Sequence, residues 1–155
     1  MKVKLITIGK TKQDFIRAGI KEYENKLKCF IQFELVEIPD IKKGKSFDEV
    51  SLKKAEAELI MNKVGDDKLI LLDENGKQMN SRAFAKAVEQ KQHLGSKSLC
   101  FAVGGAYGFS EEMKSKFQSV SLSKMTFSHQ VIRLIFMEQL YRAFSIIHGF
   151  PYHND

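Results

Sequence analysis

The sequence predicts an α/β domain, a mostly parallel sheet with helices on both faces. Three observations lead there. Segments rich in Val, Ile and Leu alternate five times with segments of helical character along the 155 residues. Two of the apolar segments, KLILLD and SLCFAV, are short and uninterrupted, as in strands covered on both faces. Stop signals such as Pro39, Gly65 and Gly95 close individual segments. The length suits one domain, 1–155.

The elements follow in order. KVKLITIG is β-branched and reads as a strand. In TKQDFIRAGIKEYENKLK, Ile16, Ile20, Tyr23 and Leu27 recur at helical spacing and form one apolar stripe. FIQFELVEIP alternates through Ile31, Phe33 and Leu35 and is closed by Pro39. DIKKGKSFD is a polar loop whose Lys42, Lys43 and Lys45 suit either phosphate contact or plain solvation. A helix from Asp48 to Val64 stops at Gly65. The strand KLILLD is followed by ENGK, a turn signal. Ser81 is the expected N-cap of RAFAKAVEQKQHL, with Gly95 ending that helix. SLCFAV is the fourth strand. Ser110 caps a short helix with Glu111 and Glu112 placed favourably in its first turn. SVSLSKM is a fifth short strand, and HQVIRLIFMEQLYRAFSIIHGF is the last helix.

Composition excludes several classes. The chain is 43% hydrophobic and 28% charged, an ordinary globular balance. The N-terminus has no signal-peptide pattern, and the longest apolar patch, VIRLIFM, is interrupted by Arg133, so a cytoplasmic protein without a membrane partner is expected. Cys29 and Cys100 sit in apolar contexts without partners at metal-ligand spacing, so both are expected to be buried, reduced thiols. A net charge of +6 permits nucleic-acid binding without requiring it.

The stretch LCFAVGGAYGFSEEM leaves a strand through glycines and enters a helix. Ligands bind parallel sheets outside such strand ends. It is not the dinucleotide fingerprint, because position 106 is Ala, and no G-K-[ST] follows, so nicotinamide oxidoreductase and nucleotide-hydrolase readings are weak. A tight turn made for backbone reasons competes with a ligand site. The exits LILLDENGK and LSKMTFSHQ would flank it, giving a cleft of backbone groups, small residues and apolar walls suited to a flat base and a ribose. No carboxylate pair, metal cluster or nucleophile triad stands out.

LDENGK, FAVGGAYGFS, LSKMTF followed after one residue by HQ, EQLYRAF and the terminal PYH stand here in an order and spacing that resembles a known family over essentially the whole chain. The chain is similar to the SPOUT-class methyltransferases of the large-subunit methyltransferase H family, which methylate N3 of a pseudouridine in bacterial 23S rRNA. The resemblance implies a C-terminal deep trefoil knot, which general topology would not suggest. It implies a homodimer acting on ribosomes, with S-adenosylmethionine as methyl donor and no metal or DNA. The cofactor pocket it implies takes Leu72, Gly104, Leu122, Ser123, Lys124, Met125, Thr126 and Phe127. Gly104 and Gly105 would clear space for the cofactor, and Leu122, Met125 and Phe127 would wall its adenine.

The catalytic group implied is Arg142, Tyr152 and His153. Arg142 suits a phosphate or a developing oxyanion, Tyr152 can stack on a base, and His153 titrates in a useful range. His129 is expected to be structural. Where relatives commonly continue Tyr-His with a basic residue, this chain has Asn154 and Asp155, which weakens a phosphate grip by the tail. The last helix is apolar around much of its circumference, from Val131 and Ile132 to Ile146 and Ile147, more than one buried stripe needs, and a dimer interface would use the excess. The alternative function is a non-catalytic, ribosome-associated RNA-binding protein with the same fold.

Overall fold

A computed structural model describes residues 1–42, 48–94 and 98–154; Lys43, Lys45, Gly95 and Asp155 lie outside the described residues. The elements are β1 (Lys2–Ile8), α1 (Asp14–Leu27), β2 (Gln32–Ile38), α2 (Glu49–Val64), β3 (Lys68–Gln78), α3 (Ser81–His93), β4 (Ser98–Val103), α4 (Glu111–Lys116), β5 (Gln118–Ser121) and α5 (Val131–Ile147). The strands form one sheet in the order β2-β1-β4-β3-β5, with every pairing parallel. Helices cover both faces, as expected.

The continuous apolar runs explain the two layers. Along β3, Ile70 and Leu72 face one core while Leu69 and Leu71 face the other, and on β1 Leu5 and Ile6 divide in the same way. The first core takes Ile16 and Ile20 of α1, Phe84 and Val88 of α3, and Phe136, Leu140 and Phe144 of α5. Phe101 of β4 lies between Phe84 and Phe136, with ring centroids 6.1 and 4.7 Å away. The second core takes Ile60 and Val64 of α2 and Met113 of α4.

Several expectations change at this level. ENGK is not a turn; β3 runs on through it to Gln78, with an irregularity in the β5 pairing between Leu72 and Lys77. Gly76 is glycine because a Cβ there would lie 2.6–2.8 Å from the Ser119–Val120 backbone of β5. Asn80, not Ser81, caps α3, its side chain accepting from Ala83 N at 2.9 Å. β5 ends at Ser121, so Leu122 onward is loop, and α5 begins at Val131 with His129 in the turn before it.

Cys29 is exposed, on the connection after α1, where its Sγ donates to Lys26 O; only Cys100 is buried. Burial pushes the Cys100 thiol up to about 12. Much of the apolar surface of α5 is consumed within the chain, since the helix packs against α1, α3 and the sheet at once; Leu134, Ile135, Ile146 and Ile147 stay half-buried.

Candidate functional site

A cleft of about 590 Å³ opens beside β3 and the carboxyl ends of β4 and β5. That volume is in the range of small-molecule sites. Three segments build it: Leu72–Asn75 within β3, just past the end of its pairing with β4, the loop from Val103 to Phe109 after β4, and Leu122–Ser128 after β5, closed by His129 and Ile132 at the start of α5. Leu72, Gly104, Leu122, Ser123, Met125, Thr126 and Phe127 are all on its walls. Lys124 is not; its side chain is exposed outside the cleft. Met125, 73% exposed, and Phe127 stand at the rim rather than forming a closed apolar wall.

The glycine loop is tied to itself. Gly108 N donates to Gly105 O at 3.0 Å, the two residues form an antiparallel bridge, and Gly108 takes a left-handed φ of +72°. A Cβ on Gly104 would lie 2.9 Å from the Gly108 carbonyl carbon. One on Gly105 would lie 2.6 Å from Oε1 of the buried Glu56 on α2. The Gly108 backbone leaves no room for a side chain at Gly104, and the Glu56 carboxylate would have to shift to admit one at Gly105.

The segment after β5 is held in a similar way. Ser121 Oγ donates to Ser123 O at 2.8 Å, Met125 N to Ser123 Oγ at 3.0 Å, and Thr126 Oγ1 to the Glu74 carboxylate. Asp73 accepts from Asn75 N at 2.8 Å and faces Lys114 at 3.9 Å. The cleft thus offers carboxylates at one side, backbone groups along the loops, and apolar contact from Leu72, Leu122 and Ile132. Among the described residues no three His, Cys, Asp or Glu side chains are grouped to hold a metal.

Arg142, Tyr152 and His153 come together with one another but away from the cleft. Arg142 pairs with Glu138 one turn earlier on α5, and its Nη1 is 3.3 Å from His153 Nδ1. The guanidinium lies 4.8 Å from the centroid of the Tyr152 ring. The Tyr152 hydroxyl donates to Glu138 Oε1 at 3.2 Å and shares a hydrogen bond with Tyr23 of α1, also at 3.2 Å. The hydrogen bond to Glu138 raises the Arg142 pKa, and burial raises that of Tyr152, so the phenol stays protonated. His129 and Ile132 touch the cleft at the N-terminus of α5, whereas the tail follows its C-terminus. A helix of 17 residues spans about 25 Å. Within one chain, the tail and the cleft are at opposite ends of α5.

The sequence also did not point to Arg133. It is fully buried, and its guanidinium donates to Ile8 O (2.7 Å), Gly9 O (3.0 Å), Thr11 Oγ1 (2.9 Å) and His129 O (2.8 Å), with Glu37 at 3.6 Å. Burial lowers its pKa, but the group remains a cation at neutral pH. Beside it, Gln130 accepts from Lys12 N and donates to Lys10 O. The start of α5 is thereby clamped to the β1–α1 connection. Asp73, Glu74 and Glu138 were not singled out either. For Glu138, the i, i+4 spacing to Arg142 was the available signal.

Comparison with known proteins agrees with this architecture. The family described as "Predicted SPOUT methyltransferase" matches residues 1–153. A protein named ribosomal RNA large subunit methyltransferase H from Christiangramia forsetii is 49% identical over 99% of both chains. Proteins of the same name from Parabacteroides distasonis and Flavobacterium johnsoniae are each 49% identical over 100% of both chains. In fold, the chain is similar to a solved structure from Haemophilus influenzae, titled "a probable methylase family protein", with a TM-score of 0.55 and 16% identity over 99% of this chain and 70% of that one. End-to-end identity near one half, on a parallel sheet whose strand exits make the cleft, shows that the chain belongs to the SPOUT methyltransferase family, alongside the members named large subunit methyltransferase H.

Proposed function

We propose that this protein transfers a methyl group from S-adenosylmethionine to N3 of a pseudouridine in bacterial 23S rRNA, as a cytoplasmic homodimer acting on assembled ribosomes. The observation that carries the proposal is the cleft built by β3 and the loops after β4 and β5, lined by seven of the eight expected cofactor residues in a chain that matches its relatives from end to end. The wall fits the cofactor chemically. Leu72, Leu122 and Ile132 offer apolar contact to a base, and Asp73 and Glu74 offer acceptors to a ribose hydroxyl or an ammonium group. The threaded, knotted path of the family belongs to the same proposal.

The cofactor supplies an electrophilic methyl on a sulfonium, whose leaving group departs neutral. The protein's task is then to orient the acceptor nitrogen, exclude water and accept the imide proton. The cleft of one chain does not hold Arg142, Tyr152 and His153. With α5 between them, a site that uses both regions takes the cleft from one protomer and the tail from its partner. Phe150, 53% exposed, and the half-buried apolar residues of α5 leave surface for that association.

The test begins with labelled S-adenosylmethionine and ribosomes from cells lacking the endogenous activity, with mapping of the labelled nucleotide. Cofactor binding without methyl incorporation would leave the non-catalytic alternative. Sharing is tested with Leu122→Arg, which blocks the cleft, and with a chain ending at Phe150. Each homodimer is expected to be inactive. Random mixing makes about half the dimers mixed, each with one of two sites intact, so activity returns to roughly a quarter of wild type. Verified mixed dimers that stay inactive overturn the shared site.

A further inference from the structure

The β1–α1 connection has a construction that the cleft alone does not explain. The backbone of Gly9–Lys12 is largely spent on partners within the fold: Gly9 N on Ile38 O, Gly9 O on Arg133, Lys10 O and Lys12 N on Gln130, Thr11 N on Glu37 at 2.7 Å, and Thr11 O on Arg17. Thr11 is buried, and its hydroxyl is bound to Glu37 and Arg133. The connection therefore presents chiefly the side chains of Lys10 and Lys12 to solvent. Neither lysine forms an ion pair among the described residues, whereas Lys2, Lys4, Lys21, Lys26, Lys53 and Lys114 all do.

This rigid, basic segment abuts the cleft. Gln130, which grips it, is the neighbour of His129 on the cleft wall. The His129 backbone is fixed by Arg133, while its ring makes no hydrogen bond to another described residue. Arg133, Lys12 and Asp40 face the imidazole; burial and the two cations lower its pKa, so it is neutral at pH 7 and can both donate and accept. The β3 side of the cleft carries Asp73 and Glu74, a poor surface for a polyanion. Lys10 and Lys12 stand on the other side of the mouth, with the exposed carboxylates of Glu37 and Asp40 beside Thr11 and Gly9.

We infer that the acceptor RNA strand crosses the β1–α1 connection, with Lys10 and Lys12 on successive backbone phosphates and the His129 ring hydrogen-bonded to the nucleotide entering the cleft. This rests on the methyltransferase proposal for the identity of the polyanion. Two phosphate contacts on a single strand contribute about 1.4 to the slope of log affinity against log salt. With the salt-independent part unchanged, their loss weakens binding roughly tenfold near 0.15 M salt.

The experiment measures co-sedimentation with ribosomes across a salt series, methylation kinetics, and S-adenosylmethionine affinity by calorimetry. Lys10→Ala with Lys12→Ala is compared with Lys63→Ala with Lys68→Ala, a charge-matched exposed pair at the opposite end of the sheet. The expected result is a slope shallower by about 1.4 and a KM for ribosomes raised roughly tenfold in the first pair only, with cofactor affinity within twofold of wild type. His129→Phe is expected to raise the KM for ribosomes several-fold, by a larger factor than any loss of cofactor affinity. Equal slopes in the two pairs overturn the docking path, and a loss of cofactor affinity with unchanged KM in His129→Phe removes His129 from the RNA side. Salt-dependent ribosome binding by a wild-type protein that incorporates no methyl would refute the methyltransferase proposal, and the slopes would still decide the path.

Discussion

Replacing Arg133 with methionine tests the clamp between α5 and the β1–α1 connection. The substitution roughly preserves volume and removes every donor. Replacing a buried ion pair with apolar groups is often harmless, because the partner charge goes too. Here the partners left behind are the carbonyls of Ile8, Gly9 and His129, which no other side chain in the network reaches, and the Glu37 carboxylate. At about 1 kcal/mol for each stranded carbonyl, and a further discounted amount for the partly exposed Glu37, the loss is about 3–5 kcal/mol. For a domain of this size that lowers Tm by roughly 10–15 °C. A stability of 5–15 kcal/mol is typical, so the variant should still fold at 25 °C. Urea unfolding and thermal melts provide the measurement. Arg133→Lys should fall between the two, keeping the charge but not the fork. Glu37→Gln should cost less, because its amide oxygen still accepts from Thr11. A loss below about 1 kcal/mol in Arg133→Met, with an unchanged denaturant slope, would refute the reasoning that the stranded carbonyls dominate.

Gly105→Ala places a methyl 2.6 Å from Glu56 Oε1 and should cost about 1–3 kcal/mol; combining it with Glu56→Ala should show a coupling near 1 kcal/mol, and additive melts would place the strain elsewhere. Asp67 accepts from Lys4 at 2.6 Å, and that hydrogen bond lowers its carboxyl pKa and raises the Lys4 pKa. The carboxylate contribution is therefore complete above the unfolded value near pH 4 and is lost as pH falls through the lower folded value, whereas the Lys4 contribution is lost only as pH rises through its raised folded value. Asp67→Asn should accordingly show a shallower loss of stability below about pH 4 than wild type, and an unchanged acid limb in pH-dependent melts would count against the pair.

What the sequence by itself determined was local. Helical spacing in α1, the uninterrupted apolar runs of β3 and β4, and the Ser110 cap are each encoded within a few residues, and each appears in the structure. The wall of the cleft was legible through whole motifs rather than through the chemistry of single residues. The rest depended on which distant segments meet. ENGK looks like a turn because Gly-containing polar stretches usually are, yet Gly76 answers to the β5 backbone pressed against it. Arg133 looked like an interruption of an apolar patch until the fold laid three acceptors from the end of β1 and the β1–α1 connection around it. Cys29 follows the apolar pattern of its neighbours but lies on an exposed connection. The separation of the tail from the cleft is likewise invisible in the order of motifs: PYH follows the last helix closely in sequence, and the rigid length of α5 carries it to the far end. Burial, strand order and distance are sums over the whole chain, so only the tertiary structure decided them.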